Sequence, residues 1–119
     1  MKLNHLDLQV SDVQALASFL ERHFELERLS NDRSPAIAIL HDRGGFTLVI
    51  QRRRDDHPYP DGFHIGFIHD AAATVRAHHA RLAADGLVLG PIDVNARGTR
   101  FYLTAPGDIL VEVSSPERS

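Results

Sequence analysis

The chain alternates apolar and polar residues in short bursts, and twice the alternation gives way to a helical spacing. In residues 3–10, Leu6, Leu8 and Val10 fall on one side of an extended strand and His5, Asp7 and Gln9 on the other, because successive strand side chains point to opposite faces. Ser11 and Asp12 follow as N-cap residues. Val13, Leu16, Phe19, Leu20 and Phe24 then recur at the spacing of an amphipathic helix. Three strands are predicted next, around 26–29, 36–41 and 46–52, with Asp42-Arg43-Gly44-Gly45 as the turn between the last two.

Residues 55–62 hold two prolines, a glycine and three aspartates, which is the composition of a connector. The pattern then restarts. Phe63, Ile65 and Phe67 form an apolar face, with His64 and Gly66 opposite. Asp70 is the expected N-cap of a helix over 71–84, with Gly86 ending it in a left-handed conformation. Strands are predicted near 87–92, 97–104 and 109–114, and Ala105-Pro106-Gly107-Asp108 as the last hairpin turn. Strand, helix and three strands thus occur twice, at a period of roughly sixty residues. Aligning His5 with His64 places Leu6 over Ile65, Leu8 over Phe67 and Leu16 over Val75. Neither half has enough apolar side chains to fold alone, so one domain over 1–119 is expected, with an N-terminal βαβββ module at about 1–56 and a second at about 62–116.

Composition narrows the function. A hydrophobic fraction of 43% and a charged fraction of 24% suit a soluble globular chain. The apolar runs are too short to cross a bilayer, and no signal-peptide stretch is expected at the N-terminus. The absence of cysteine excludes disulfides, thiolate metal sites and a cysteine nucleophile, and fits a cytoplasmic location. A net charge of −3 argues against nucleic acid as a partner. The basic run Arg52-Arg53-Arg54 leads straight into Asp55 and Asp56, as a solvated strand end does.

Eight histidines are the compositional oddity. In the last strand of each half, Phe46, Leu48 and Ile50 oppose Thr47, Val49 and Gln51, and Ile109, Val111 and Val113 oppose Leu110, Glu112 and Ser114. His5, Gln51, His64 and Glu112 therefore fall on the faces turned away from the helices, at strand positions read as equivalent. A lone strand histidine is usually structural, but a carboxylate set between Val111 and Val113 needs solvent or a partner. Two imidazoles and one carboxylate suit a first-row divalent ion and leave positions open for a ligand. Gln51 is the expected fourth, weak oxygen donor, or the residue that orients a water, and Asp7 a supporting group behind the ligands. The remaining histidines are read as structural or surface residues: at most one of His78 and His79 can face inward from their helix, His41 and His57 fall beside turns, His69 precedes a helix start, and His23 lies near a helix C-terminus. No glycine-rich phosphate loop and no nucleophile elbow is present.

At these residues the sequence resembles the vicinal oxygen chelate superfamily, which includes glyoxalase I, fosfomycin-resistance transferases, extradiol dioxygenases and bleomycin-resistance proteins. The resemblance rests on Leu3-Asn4-His5-Leu6-Asp7-Leu8-Gln9-Val10 with Ser11-Asp12, on Phe63-His64-Ile65-Gly66-Phe67, and on Phe101-Tyr102-Leu103-Thr104, Pro106-Gly107-Asp108 and Val111-Glu112-Val113. It implies an α+β fold of two βαβββ modules forming a half-open mixed-sheet barrel, helices on the outer face. It implies metal ligands at His5, His64 and Glu112 with Gln51 at the fourth place, a divalent ion (Zn, Ni, Mn, Fe or Co) acting as Lewis acid on a small oxygen-rich substrate, and a homodimer. The reaction would be that of a lyase, dioxygenase or transferase, with Glu112 or a metal-bound hydroxide as base and Tyr102 as a donor if it faces the cavity. An amide at 51, where glyoxalase I carries a carboxylate, cannot act as a base, so poor glyoxalase activity is expected. The alternative is a metal-free protein of the bleomycin-resistance type that sequesters a ligand or antibiotic.

Overall fold

In the computed structural model, which describes residues 1–30 and 32–119, strand β1 (His5–Val10) buries Leu8 and Val10 and leaves His5, Asp7 and Gln9 exposed. Asp12 caps the following helix as its side chain accepts a hydrogen bond from the Ala15 amide at 3.0 Å. Helix α1 (Val13–Phe24) buries Val13, Leu16, Ala17, Leu20, His23 and Phe24, and ends at Glu25 in the left-handed conformation (φ 60°). Three strands follow: β2 (Glu27–Arg28), β3 (Ile37–His41) and β4 (Thr47–Arg52). They form one four-stranded sheet in the order β1-β4-β3-β2, with β1 parallel to β4 because α1 carries the chain back across the sheet, and the other pairs antiparallel. Leu8, Val10, Leu40, Leu48 and Ile50 face the apolar side of α1, at 4% exposure or less.

β2 is only two residues long, shorter than the stretch 26–29 expected. Side-chain bonding explains what holds it. Arg28 turns back to α1 and donates from Nε to Glu21 at 2.7 Å, from Nη1 to Gln14 at 2.6 Å and from Nη2 to Ser18 at 3.0 Å. The strand is fastened to the helix by a guanidinium as much as to β3 by its backbone.

The second half repeats the plan: β5 (His64–Ile68), α2 (Ala72–Ala84), β6 (Asp93–Asn95), β7 (Gly98–Ala105) and β8 (Ile109–Ser115). The order is β5-β8-β7-β6, β5 parallel to β8 and the others antiparallel. Phe101, Leu103, Ile109, Val111 and Val113 lie under Ala72, Val75 and Leu82 of α2, all at 4% exposure or less. Each of these side chains except Ala72 contributes about 1.5–3 kcal/mol through burial. Of the two adjacent histidines on α2, His78 is the inward one; its Nδ1 lies 3.2 Å from Nε2 of His69.

Two expectations fail here for identifiable reasons. Asp70 does not cap α2. Ala71 occupies the N-cap position without a side-chain bond, and the free Ala72 amide is taken instead by the Glu117 carboxylate at 3.2 Å, while the Asp70 carbonyl accepts from Ser115 Oγ. The strand near 87–92 is also missing, because Pro91 has no amide to donate; the segment touches β7 through one backbone bond, Gly90 to the Tyr102 carbonyl at 2.8 Å, and pairing resumes at β6. The final turn is Pro106-Gly107-Asp108, since Ala105 still pairs with Ile109.

The chain divides into two compact units, Met1–Pro58 and Tyr59–Ser119, each containing one βαβββ module. Among the described residues no helix is long and apolar enough to cross a membrane.

Candidate functional site

The open face of the second sheet gathers its polar residues around one carboxylate. Glu112 on β8 is flanked by Gly66 on β5 and by Tyr102 on β7, its direct partners in the two ladders. Gly66 lies directly beside it: a Cβ there would sit in ordinary contact, 3.6 Å from Oε2. Tyr102 donates its hydroxyl to Oε1 at 2.6 Å. Arg100, two residues earlier on the same face of β7, donates from Nη1 to the same oxygen at 2.8 Å and from Nη2 to the Arg97 carbonyl at 3.1 Å. The pair is largely withdrawn from water, with side-chain exposures of 11% for Arg100 and 14% for Glu112, and Arg100 Nε is buried without a partner.

Burial alone would push the Glu112 carboxyl up, but the hydrogen bonds from Tyr102 and Arg100, and the Arg100 charge, outweigh it and hold the group below the ordinary carboxylate range. The same contact, with burial, raises the Tyr102 phenol above its ordinary value, against an opposing pull from Arg100. Arg100 is held more firmly protonated than usual: burial works against its charge, and the bonds and charges of Tyr102 and Glu112 prevail. A carboxylate so held is a weak proton acceptor and a well-oriented anion. The assignment of Glu112 as base is therefore not what this geometry favours, and Tyr102, which does lie on the open face, spends its proton on Glu112.

The other carboxylate oxygen faces a histidine. His64 Nδ1 lies 2.8 Å from the Gly62 carbonyl, which can only accept, so Nδ1 carries a proton and neutral His64 has its lone pair on Nε2. That atom is 3.9 Å from Glu112 Oε2, too far for a hydrogen bond. Metal–nitrogen and metal–oxygen bonds of about 2.0–2.2 Å each would span this gap, so one divalent ion can touch both atoms. The carbonyl bond that fixes the tautomer is the kind that orients ligating imidazoles. The donor pair fits a metal.

In the first unit His5 is exposed on β1 opposite Thr47, Asp7 is opposite Val49, and Gln9 is opposite Gln51. Gln51 donates its side-chain amide to Asp7. It lies four residues beyond His5 along the ladder, about 13 Å of strand. Glu112 lies only two residues beyond the level of His64. The equivalence of Gln51 with Glu112 read from the sequence therefore fails by two residues. Face alternation repeats every two residues and cannot detect such a shift.

Among the described residues no three His, Cys, Asp or Glu side chains are gathered as a metal-holding group; the second unit brings two donors together and His5 belongs to the first. The residue that sequence reasoning missed is Arg100. Its signal was present, since alternation with Phe101 and Leu103 sets Arg100 and Tyr102 on the face of Glu112.

The chain belongs to the Glyoxalase/Bleomycin resistance protein/Dioxygenase superfamily, whose family model matches residues 2–113. It is similar to the structure of a possible glyoxalase from Bacillus cereus, at 35% identity over 96% of this chain and 98% of that one, TM-score 0.83. The fold is also that of a lactoylglutathione lyase from Agrobacterium tumefaciens (19% identity, 96% and 92% coverage, TM-score 0.78). A genomically encoded fosfomycin resistance protein, FosX, from Listeria monocytogenes shares it too (21%, 97% and 93%, TM-score 0.76). No curated protein matches the chain in sequence.

Proposed function

We propose that this protein is a metal-dependent enzyme of its superfamily, acting on a small oxygen-rich substrate. His64 and Glu112 are two ligands of a divalent ion such as Zn, Ni, Mn, Fe or Co, and His5 is the third. The observation that carries this reading is the His64 Nε2 lone pair held 3.9 Å from Glu112 Oε2, with every other polar atom of the two side chains already engaged. The ion would supply Lewis acidity toward substrate oxygens.

The chain's own residues set the electrostatics. Tyr102 and Arg100 occupy Oε1 and so present Oε2 alone. The Arg100 charge balances that of Glu112, so an ion brought here keeps most of its positive field for the substrate, which favours an anionic or enolisable one. A lyase or transferase reaction with a negatively charged intermediate fits this field. Glyoxalase chemistry, which needs a protein carboxylate to move a proton, is not favoured, because Glu112, held below the ordinary carboxylate range with Oε1 engaged by Tyr102 and Arg100, is a weak proton acceptor.

Metal analysis of protein purified without chelator tests the reading. About one ion per chain is expected in the wild type and little in His64→Ala, Glu112→Ala or His5→Ala variants that remain folded. Equal metal content in all four would refute it. One observation favours metal-free sequestration as a second reading: Glu112 already has its charge and one oxygen satisfied by Arg100 and Tyr102. That reading wins if the wild type binds no stoichiometric metal. The two modules are proposed to form one domain, and the chain a homodimer, since β1 and β5 are edge strands of their sheets. Light scattering at micromolar concentration checks the dimer, and a monomer that retains its metal speaks against it.

A further inference from the structure

The chain enters β5 through a tight turn at 60–63, closed by the Phe63 amide donating to the Pro60 carbonyl at 3.1 Å. Gly62 has φ 84°, the positive value that a type II turn requires at its third residue. Pro60 stiffens the approach, because its ring fixes its own φ and confines Tyr59 before it to extended backbone. The ring of Tyr59 then lies flat on that of Phe63, with centroids 4.5 Å apart and planes 11° from parallel. This stack brackets the turn, and within it the Gly62 carbonyl accepts from His64 Nδ1 at 2.8 Å. The imidazole also meets the Tyr102 ring nearly at right angles, centroids 5.9 Å apart. All of these residues belong to the unit Tyr59–Ser119.

The carbonyl bond selects the less common form of the ring. A neutral histidine in water prefers its proton on Nε2, whereas here Nδ1 must carry it to donate to Gly62. A carbonyl on a freely moving connector would take water as readily as Nδ1–H, so the selection depends on the turn being held. We propose that Tyr59 is a positioning residue for His64: its stack on Phe63 keeps the turn closed, and the closed turn keeps the proton on Nδ1 and the lone pair on Nε2. The inference goes beyond the metal reading, and its first test does not depend on that reading. Where the metal reading holds, the same stack governs affinity, because the ring must offer the ion a nitrogen without a proton.

Long-range proton–nitrogen NMR of metal-free protein, above the histidine titration range, reads which ring nitrogen carries the proton. Wild type and Tyr59→Phe, which keeps the stack, should hold it on Nδ1 of His64. Tyr59→Ala should shift the ratio of the two forms toward Nε2–H by about tenfold, roughly the worth of one hydrogen bond. Tyr59→Leu keeps apolar bulk without a ring face; it should do the same, and serves if the alanine variant does not fold. His79 on α2 is the internal control, since its Nε2 lies 3.1 Å from the Gly90 carbonyl and its tautomer should not change. An Nδ1 proton held as firmly in Tyr59→Ala and Tyr59→Leu as in wild type overturns the proposal. So does its loss in Tyr59→Phe, or a His79 that shifts along with His64, the mark of general loosening. A Zn²⁺ titration by calorimetry on the same variants keeps the two readings apart. Binding about tenfold weaker in Tyr59→Ala and unchanged in Tyr59→Phe is expected. A wild type that binds no Zn²⁺ while its tautomers follow the pattern above overturns the metal reading and upholds the role of Tyr59.

Discussion

Replacing Arg100 by methionine isolates what the buried cation does for Glu112. The pair is 2.8 Å apart, with side-chain exposures of 11% and 14%, so solvent screening is slight. Removing one partner of such a pair costs about 3–5 kcal/mol, because the other charge remains buried. Two features reduce that figure. Tyr102 still donates to the carboxylate, and the change also removes Arg100 Nε, a buried donor without a partner whose burial costs about 1–3 kcal/mol. The expected net loss is about 2 kcal/mol. With a urea m-value of about 2 kcal/mol/M, the unfolding midpoint should fall by about 1 M. Adding Glu112→Leu removes the stranded charge, so Arg100→Met/Glu112→Leu should regain much of the loss, and the double-mutant cycle should show coupling of about 1–3 kcal/mol. Urea unfolding in chelator, followed by circular dichroism, measures all four corners. A loss under about 0.5 kcal/mol for Arg100→Met, or strict additivity, would show that the cation and carboxylate are not the coupled pair described.

Tyr102 should report on the same cluster. In a Tyr59→Phe background, Glu112→Gln should move its phenol ionisation to lower pH, because the charged acceptor that raises it is gone; coincident ultraviolet titrations would contradict this. Glu112 itself titrates below the ordinary carboxylate value when folded, so its contribution is present above the unfolded value of about 4.3 and is lost as pH falls through the lower folded one. Stability against pH should accordingly drop less steeply on the acid side in Glu112→Gln, as read from urea midpoints, and parallel curves would refute the shift. Gly98→Ala should cost more than about 3 kcal/mol or abolish folding, since φ is 115° and a Cβ would sit 2.0 Å from the Ser115 carbonyl oxygen. A melting temperature equal to wild type would mean that β7 does not approach β8 as described. Asp12→Ala should cost about 1 kcal/mol through the lost cap of α1, measurable by thermal unfolding, and no change would show the cap to be idle.

What could be read without the structure depended on interactions between near neighbours in the chain. Strand side chains alternate and helix side chains recur every three to four residues whatever lies around them, so the faces of β1, β4, β5 and β8, the stripe of α1 and the Asp12 cap were all legible. So was the repeat, and with it the placing of His5, His64 and Glu112 on open sheet faces. The rest involved partners distant in sequence. The cap of α2 comes from Glu117, 45 residues away from the amide it accepts from, so a local search settles on Asp70 instead. Strand 87–92 fails because a ladder needs the amide that Pro91 lacks, although the apolar pattern there reads as a strand. Arg100 could be assigned a face but not a partner, since the β7–β8 register alone carries it to Glu112. The displacement of Gln51 has the same origin. A shift of two residues leaves every side chain on its correct face, so only the pairing of β1 with β4, set by the crossover helix and the hairpin before β4, decides whether Gln51 or Val49 stands where Glu112 does.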